Sequence, residues 1–167
     1  MRASVARQSM HEFLRNNRDE LIARCKYKVS KRPRRAVTER QLANGVPLLL
    51  DQLTRSLEAE VADETGESIR ISGPSGGDSL ALFEMGVSSA AHGKELLALG
   101  FSVDQVVYDY GDLCQAITDL ALERNAPFSI DEYCTLNRCL DNAIADAMTE
   151  FSFQRDANSP ITQQSEI

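Results

Sequence analysis

Histidine and cysteine supply the most reactive side chains in this sequence, and both are scarce. The chain of 167 residues has two histidines, His11 and His92, and four cysteines. Cys134 and Cys139 are the closest pair, but a separation of five positions in one helix places them on different sides, so they do not form half of a zinc site. The sequence therefore predicts no metal site.

The segment His92-Gly-Lys94 is the best candidate for phosphoryl chemistry. In phosphotransfer bundles a lysine one turn from the acceptor histidine helps to hold the phosphate, whereas Lys94 follows His92 by two positions and lies on another side of the helix. The segment His11-Glu-Phe-Leu-Arg-Asn16 resembles a histidine-kinase box, but one inserted residue rotates its Arg and Asn by about 100°. A histidine phosphotransfer protein using His92 is therefore kept as an alternative.

Four residues are candidates for a ligand-sensing pocket, namely His92, Tyr110, Cys114 and Asn137. Tyr110 and Asn137 put polar groups near predicted core faces, where such groups satisfy one another or line a cavity. Cys114 would sense oxidants if its thiol pKa were depressed, although its place on a core face favours inert packing. His92 as a haem ligand gives the second alternative, a haem or small-ligand sensor. No apolar haem pocket is recognisable, so no cofactor is expected.

The segment Ser102–Arg124 is predicted to be a central helix, and it carries two of these candidates. Its apolar residues repeat every seven positions in three rows: Val103, Tyr110 and Ile117; Val106, Leu113 and Leu120; Val107, Cys114 and Ala121. Three rows make a face wide enough for two or more packing helices. Ser102 with Gln105 predicts a capping box at its start.

The rest of the chain predicts an all-α helical bundle of about six helices. The N-terminal segment 4–32 is predicted as one or two helices, with Asn17 capping the second. Further helices are expected from Thr38 or Pro47, over 80–99, and from Ser129 to about Phe153. The predicted connections are a basic linker over 31–35 and a loop over 65–79 that is rich in Gly, Ser and Pro. Residues 1–155 are predicted to form one sensor and dimerisation domain, followed by a disordered tail or linker over 156–167.

Charge is distributed unevenly along the chain. Residues 1–40 hold 12 Lys and Arg against 4 Asp and Glu, whereas residues 41–167 hold 6 against 21. We expect the basic N-terminal helices to lie against the acidic body of their own or a partner bundle, and we expect no nucleic-acid partner. The absence of an apolar run of about 20 residues predicts no membrane span. Free thiols are typical of a reducing, cytoplasmic protein.

Three stretches carry a resemblance to a known family: Leu99–Thr118, with the sequence LGFSVDQVVYDYGDLCQAIT, then Thr135–Asp146 and Leu14–Ile22. Together they resemble the N-terminal sensor domain of bacterial cytoplasmic sensor histidine kinases, which is related to the RsbR-type (RsbT co-antagonist, RsbRD) N-terminal domain.

The resemblance implies an all-helical bundle or globin-like input domain that forms a homodimer. Such a domain passes a signal to a histidine kinase output domain, or to a partner kinase or response regulator. No phosphoacceptor helix follows Arg155, so kinase activity is not carried over and no catalytic residue is predicted. The chain is therefore expected to be a non-enzymatic part of a two-component or stress signalling system.

Overall fold

The computed structural model describes residues 7–32, 45–77 and 82–159. These ranges form seven α-helices and contain no β-strand, which confirms the predicted all-α bundle. The predicted start at Thr38, residues 33–35 of the basic linker, residues 78 and 79 of the predicted loop and the tail from residue 160 lie outside them. The helices are α1 (Met10–Asn16), α2 (Arg18–Ser30), α3 (Val46–Val61), α4 (Thr65–Ser72), α5 (Glu84–Ala98), α6 (Val103–Glu123) and α7 (Ile130–Ala157).

Two of the three capping residues predicted within the described ranges cap their helices. The backbone N–H of Ser102 donates to the side chain of Gln105 at 2.9 Å, and Ser129 with Glu132 forms the second predicted capping box at the start of α7. The prediction for Asn17 is wrong, because it accepts no capping bond. Its side-chain amide instead donates to the carbonyl oxygen of Phe13 at 2.8 Å, so it closes the end of α1.

Helix α4 occupies a segment that the sequence predicted as a loop. Ser68 and Ser72 lie one turn apart on its inner face and are fully buried, next to buried Ile71. Both serine hydroxyls lie 2.7 Å from the hydroxyl of Ser56 on α3. The prediction was wrong because these tertiary hydrogen bonds and the burial of Ile71 outweigh the poor helix propensity of the segment.

The predicted rows on α6 are buried to different degrees. Val106, Leu113 and Leu120 are fully buried, whereas Val107, which begins the third row, is 38% exposed. Helix α6 packs chiefly against α2 and α7. The middle row is therefore fully covered, whereas Val103 and Val107, which begin the first and third rows, remain partly at the surface.

The apolar stripe of α7 differs from the predicted stripe over its first turns. Ile130 is 80% exposed and Asn137 is also at the surface, whereas Leu136, Cys139 and Ala143 are buried. The helix continues past the predicted end at Phe153 to Ala157. Leu140, Ala147 and Phe151 of the predicted stripe are buried, so the buried face differs from the prediction only where Ile130 and Asn137 were assigned to it.

The basic N-terminal segment is paired with carboxylates of the same chain. Arg15 donates to Glu58 and Arg18 to Asp51, both at 2.8 Å, and Arg24 donates to Glu123 at 2.6 Å. The remaining pairs that bridge distant elements are Arg7 with Glu132, Lys28 with Asp119, and Arg32 with Asp112 and Asp109. Within the described part of this segment, six basic residues therefore pair with carboxylates of their own chain, in agreement with the first of the two predicted arrangements.

The closest helix contact in the described ranges joins α5 to α7 at Gly93. A Cβ atom built on Gly93 would lie 2.1 Å from the carbonyl oxygen of Ala147, far inside van der Waals contact. Gly93 therefore sets the distance between the two helices, because any side chain there would push α7 away.

We expect Gly93→Ala to destabilise the protein by about 1–3 kcal/mol, because the overpacking exceeds the gain in helix propensity. The matched control is Gly111→Ala in α6, where nothing lies within 4 Å of an added Cβ. That variant should stabilise by roughly 0.5–1 kcal/mol, since only helix propensity changes. Urea unfolding followed by circular dichroism measures both. Equal shifts in the two variants would show that the close crossing is absent.

Candidate functional site

The structure brings together two of the four predicted pocket residues. The rings of His92 on α5 and Tyr110 on α6 meet edge to face, with centroids 6.1 Å apart and planes at 85°. Cys114 lies one turn along α6 from Tyr110 and is half-buried. Asn137 is exposed on α7, so it does not contribute to a buried pocket.

The imidazole of His92 is buried with an incomplete set of hydrogen bonds. The residue is 5% exposed, and no hydrogen-bond partner for its Nδ1 lies within the described ranges. The nearest charge is the carboxylate of Glu95, whose Oε2 lies 3.8 Å from Nδ1, beyond hydrogen-bond distance. Burial lowers the pKa of His92 below its ordinary value of 6.5, and Glu95 partly opposes this effect. The ring is therefore held neutral at pH 7.

Tyr110 lies between polar groups of α5 and of α7. Its hydroxyl faces buried Ser89. Burial raises the pKa of the Tyr110 hydroxyl, and the carboxylates of Asp109 and Asp146 raise it further. Asp146 precedes Ala147, the residue against which Gly93 packs. We call His92, Tyr110, Ser89 and Asp146 the three-helix cluster, since they come from α5, α6 and α7.

Asp146 is the member of this cluster that sequence reasoning missed. Its Oδ2 is buried and has no hydrogen-bond partner in the part of the chain that is described. Burial alone raises the pKa of this carboxyl. No usable signal for Asp146 is visible in the sequence, because it lies between Ile144 and Ala147 of the predicted stripe and resembles an ordinary solvated position.

A second polar cluster, also not predicted, lies where α7 meets α3 and α4. The guanidinium of Arg138 donates to the hydroxyls of Ser68 at 2.8 Å and Ser72 at 3.0 Å, and to Glu60 at 3.1 Å. The spacing of Ser68 and Ser72 was the available signal, but it lay in a segment predicted as a loop. Arg138 Nε is buried without a hydrogen-bond partner in the described ranges, but both terminal nitrogens of the guanidinium are paired, so we assign this cluster a structural role.

Three of the four cysteine thiols, Cys25, Cys114 and Cys139, have the properties of packed, unreactive groups, whereas Cys134 is exposed. Burial raises the pKa of Cys114 and of Cys139, and it raises the pKa of Cys25 to about 12. A reactive thiol needs a depressed pKa, because the thiolate is the nucleophile. The geometry therefore disfavours an oxidant-sensing role for Cys114.

The burial of His92 argues against both alternative functions, the phosphotransfer protein and the haem sensor. A phosphoacceptor histidine must meet a donor protein at the surface, and a side chain that is 5% exposed does not offer that access. A haem ligand needs a porphyrin-sized space beside the ring nitrogen, whereas Nδ1 faces Glu95 and the ring edge packs on Tyr110. Within the described ranges no three His, Cys, Asp or Glu side chains are grouped as metal ligands.

Comparisons with protein-family models, with curated proteins and with solved structures find no significant match to this chain. None of the helices in the described ranges combines the length and apolar character needed to cross a membrane.

We expect the stability of the protein to fall as the pH is lowered from about 7 to 5. The unfolded chain binds a proton at His92 with a pKa near 6.5, whereas the folded state resists that proton because its pKa is lowered. The free energy of unfolding, measured by urea titration at each pH, should lose part of this slope in His92→Gln. An unchanged slope in the variant would place the pH dependence elsewhere.

Proposed function

We propose that this chain is the signal-input and dimerisation domain of a cytoplasmic bacterial two-component or stress signalling protein. In this proposal the chain is not itself an enzyme. Its output is a histidine kinase domain, or a partner kinase or response regulator. The resemblance of Leu99–Thr118, Thr135–Asp146 and Leu14–Ile22 to sensor domains suggested the class.

The observation that carries the proposal is the three-helix cluster at the closest helix crossing. His92 and Asp146 each bury a polar atom without a hydrogen-bond partner in the described ranges. They flank the contact in which Gly93 packs directly on Ala147. Unpaired buried polar groups are costly, so an event that pairs or titrates them changes the energy of the α5–α7 contact. Helix α7 then carries the change along its 28 residues.

The uncovered part of α6 supports dimerisation. Val103 and Val107 lie one turn apart and are 40% and 38% exposed, and Leu99 before the helix is 46% exposed. These three residues, which we call the α6 patch, continue the apolar rows whose other members are buried in the bundle, except for half-buried Cys114. A second copy of the chain would cover the patch as neighbouring helices cover the rest of the face.

Sedimentation velocity tests the dimer. The full chain should sediment as a dimer at tens of micromolar, since a stable interface buries roughly 1,200 Å² or more. The double variant Val103→Glu with Val107→Glu should sediment as a monomer, because it places charge in the apolar contact. The matched control is Val61→Glu on α3, where the side chain is 60% exposed. A wild-type chain that remains monomeric would exclude this dimer.

A fusion experiment tests signal output. The chain is joined through the C-terminal end of α7 to the dimerisation and catalytic region of a histidine kinase of known activity, with zero to seven inserted helix-forming residues. If α7 transmits a signal as a continuous helix, autophosphorylation should vary with a period of about 3.6 residues. A flexible Gly-Ser linker is the control and should remove this variation. Activity that is independent of linker length and type would contradict transmission through α7.

Removal of the N-terminal segment is not a clean test of the dimer. Met10, Phe13, Leu14, Leu21 and Cys25 belong to the same buried core as α6 and α7. Deleting residues 1–35 would therefore remove part of the core of each protomer, and loss of association would then follow from unfolding.

A further inference from the structure

A groove runs between α5 and α7 on the outer side of the three-helix cluster. Its volume is about 620 Å³, within the range of small-molecule sites. We call it the α5–α7 groove. It is lined by Leu82, Phe83, Gly86, Val87, Ala90, Ala91, Lys94, Asp146, Thr149 and Glu150.

The walls of the groove are mostly apolar and unusually exposed. Leu82 is 90% exposed and Val87 is 57% exposed, although both are aliphatic. Gly86 allows Asp146 and Phe83 to approach the backbone of α5 closely, because a Cβ there would lie 2.9 Å from Asp146 Oδ2 and 2.9 Å from the ring of Phe83. Apolar surface that lines a concave site stabilises a ligand that removes it from water.

Asp146 and Glu150 both bring half-buried carboxylates to the groove, and one oxygen of Asp146 is shielded from water. This oxygen, Oδ2, has no hydrogen-bond partner within the described ranges, and the carboxyl group of Asp146 forms no ion pair there. Burial of an unpaired carboxylate is costly, and a cation placed beside it would remove that cost. The position therefore favours a ligand with a positive charge.

The shape and charge of the groove exclude other ligand classes. An anion would meet the carboxylates of Asp146 and Glu150 in the same groove. A divalent metal ion needs several oxygen ligands, and the described residues offer no cluster of three. An uncharged apolar molecule would leave Asp146 unpaired.

We propose that the α5–α7 groove binds a small primary ammonium compound with an apolar body, with the ammonium on Asp146 and the body against Leu82, Phe83 and Val87. An ammonium group has three donors and a compact charge, which suits the carboxylates of Asp146 and Glu150 in the groove. The inference rests on the proposed function, because it names the chemical class of the signal that this input domain receives.

Lys94 lies at the same groove and carries the only charge of opposite sign to Asp146 among the lining residues. It is exposed and forms no ion pair with a described carboxylate. An ammonium ligand is repelled by Lys94, whereas a carboxylate ligand would be attracted to it. Substitution of Lys94 therefore shows in an experiment whether a bound ligand is an anion or an ammonium compound.

Isothermal titration of the full chain with hexylammonium, hexanol and hexanoate tests the proposal at pH 7. Hexylammonium should bind saturably in the millimolar range or tighter, and hexanol and hexanoate should bind at least tenfold more weakly. Asp146→Asn should weaken hexylammonium binding about tenfold or more, because a charge-assisted bond is lost. The matched control is Asp141→Asn, an exposed carboxylate on the same helix. It should bind like the wild type.

Two further measurements decide between the outcomes. Binding of hexylammonium should weaken as the pH is lowered towards 4, since Asp146 becomes protonated while the amine stays charged. Thermal unfolding confirms that Asp146→Asn is folded. Absence of saturable hexylammonium binding to the wild type, or equal binding to Asp146→Asn, would overturn the proposal. Preferential binding of hexanoate that is lost in Lys94→Gln would also overturn it.

Ligand binding and dimerisation fail separately in these tests. A chain that dimerises but binds no ammonium compound refutes only the ligand class. A chain that binds hexylammonium through Asp146 yet stays monomeric refutes the dimeric input domain, while the groove remains a binding site.

Discussion

The contact between Gly93 and the backbone of Ala147 sets the geometry on which the rest of the site depends. Since α5 has no side chain at this position, α7 approaches until its carbonyl oxygen occupies the space of a missing Cβ. This approach places His92 and Asp146 on either side of one crossing and buries polar atoms that water would otherwise satisfy. Close packing thus makes the α5–α7 pair rigid, and it also leaves unpaired polar groups whose pairing or titration changes the energy of the contact.

Electrostatic pairing between the N-terminal helices and the rest of the bundle complements this packing. Each exposed ion pair between α1 or α2 and a distant carboxylate adds little to the stability of the fold by itself. In all of these pairs the cation belongs to the N-terminal segment and the carboxylate to the rest of the bundle, so together they orient the N-terminal helices. Arg32 with Asp112 is the exception in burial, because the carboxylate side chain is only 4% exposed. A net charge of −7 is therefore compatible with a strongly basic N-terminal segment, since the segment serves the fold of its own chain.

The sequence allowed the helical class, most helix starts and the pairing of charges to be predicted, because these depend on local patterns and on composition. Capping residues such as Ser129 act within one turn, so their effect is visible in the sequence. Helix α4 was missed because hydrogen bonds from Ser68 and Ser72 to another helix stabilise it. Asp146 was missed because its burial depends on Gly86 and Phe83 of a different helix. Asn137 was misplaced because a stripe interrupted by polar residues has no unique phase.

Glu132 has a consequence for how the protein is made. Its carboxylate accepts from the backbone N–H of Ser129 and from that of Met10, so one side chain caps the first helix and the last. These two ends are separated by 122 positions. At ribosomal rates of about 5–20 residues per second, this second acceptor for the start of α1 is synthesised about 6–24 s after Met10. During that interval α1 already has the local capping box of Ser9 and Glu12 and can pack on α3, so the bond from Glu132 joins the two ends of the chain only once the last helix has formed.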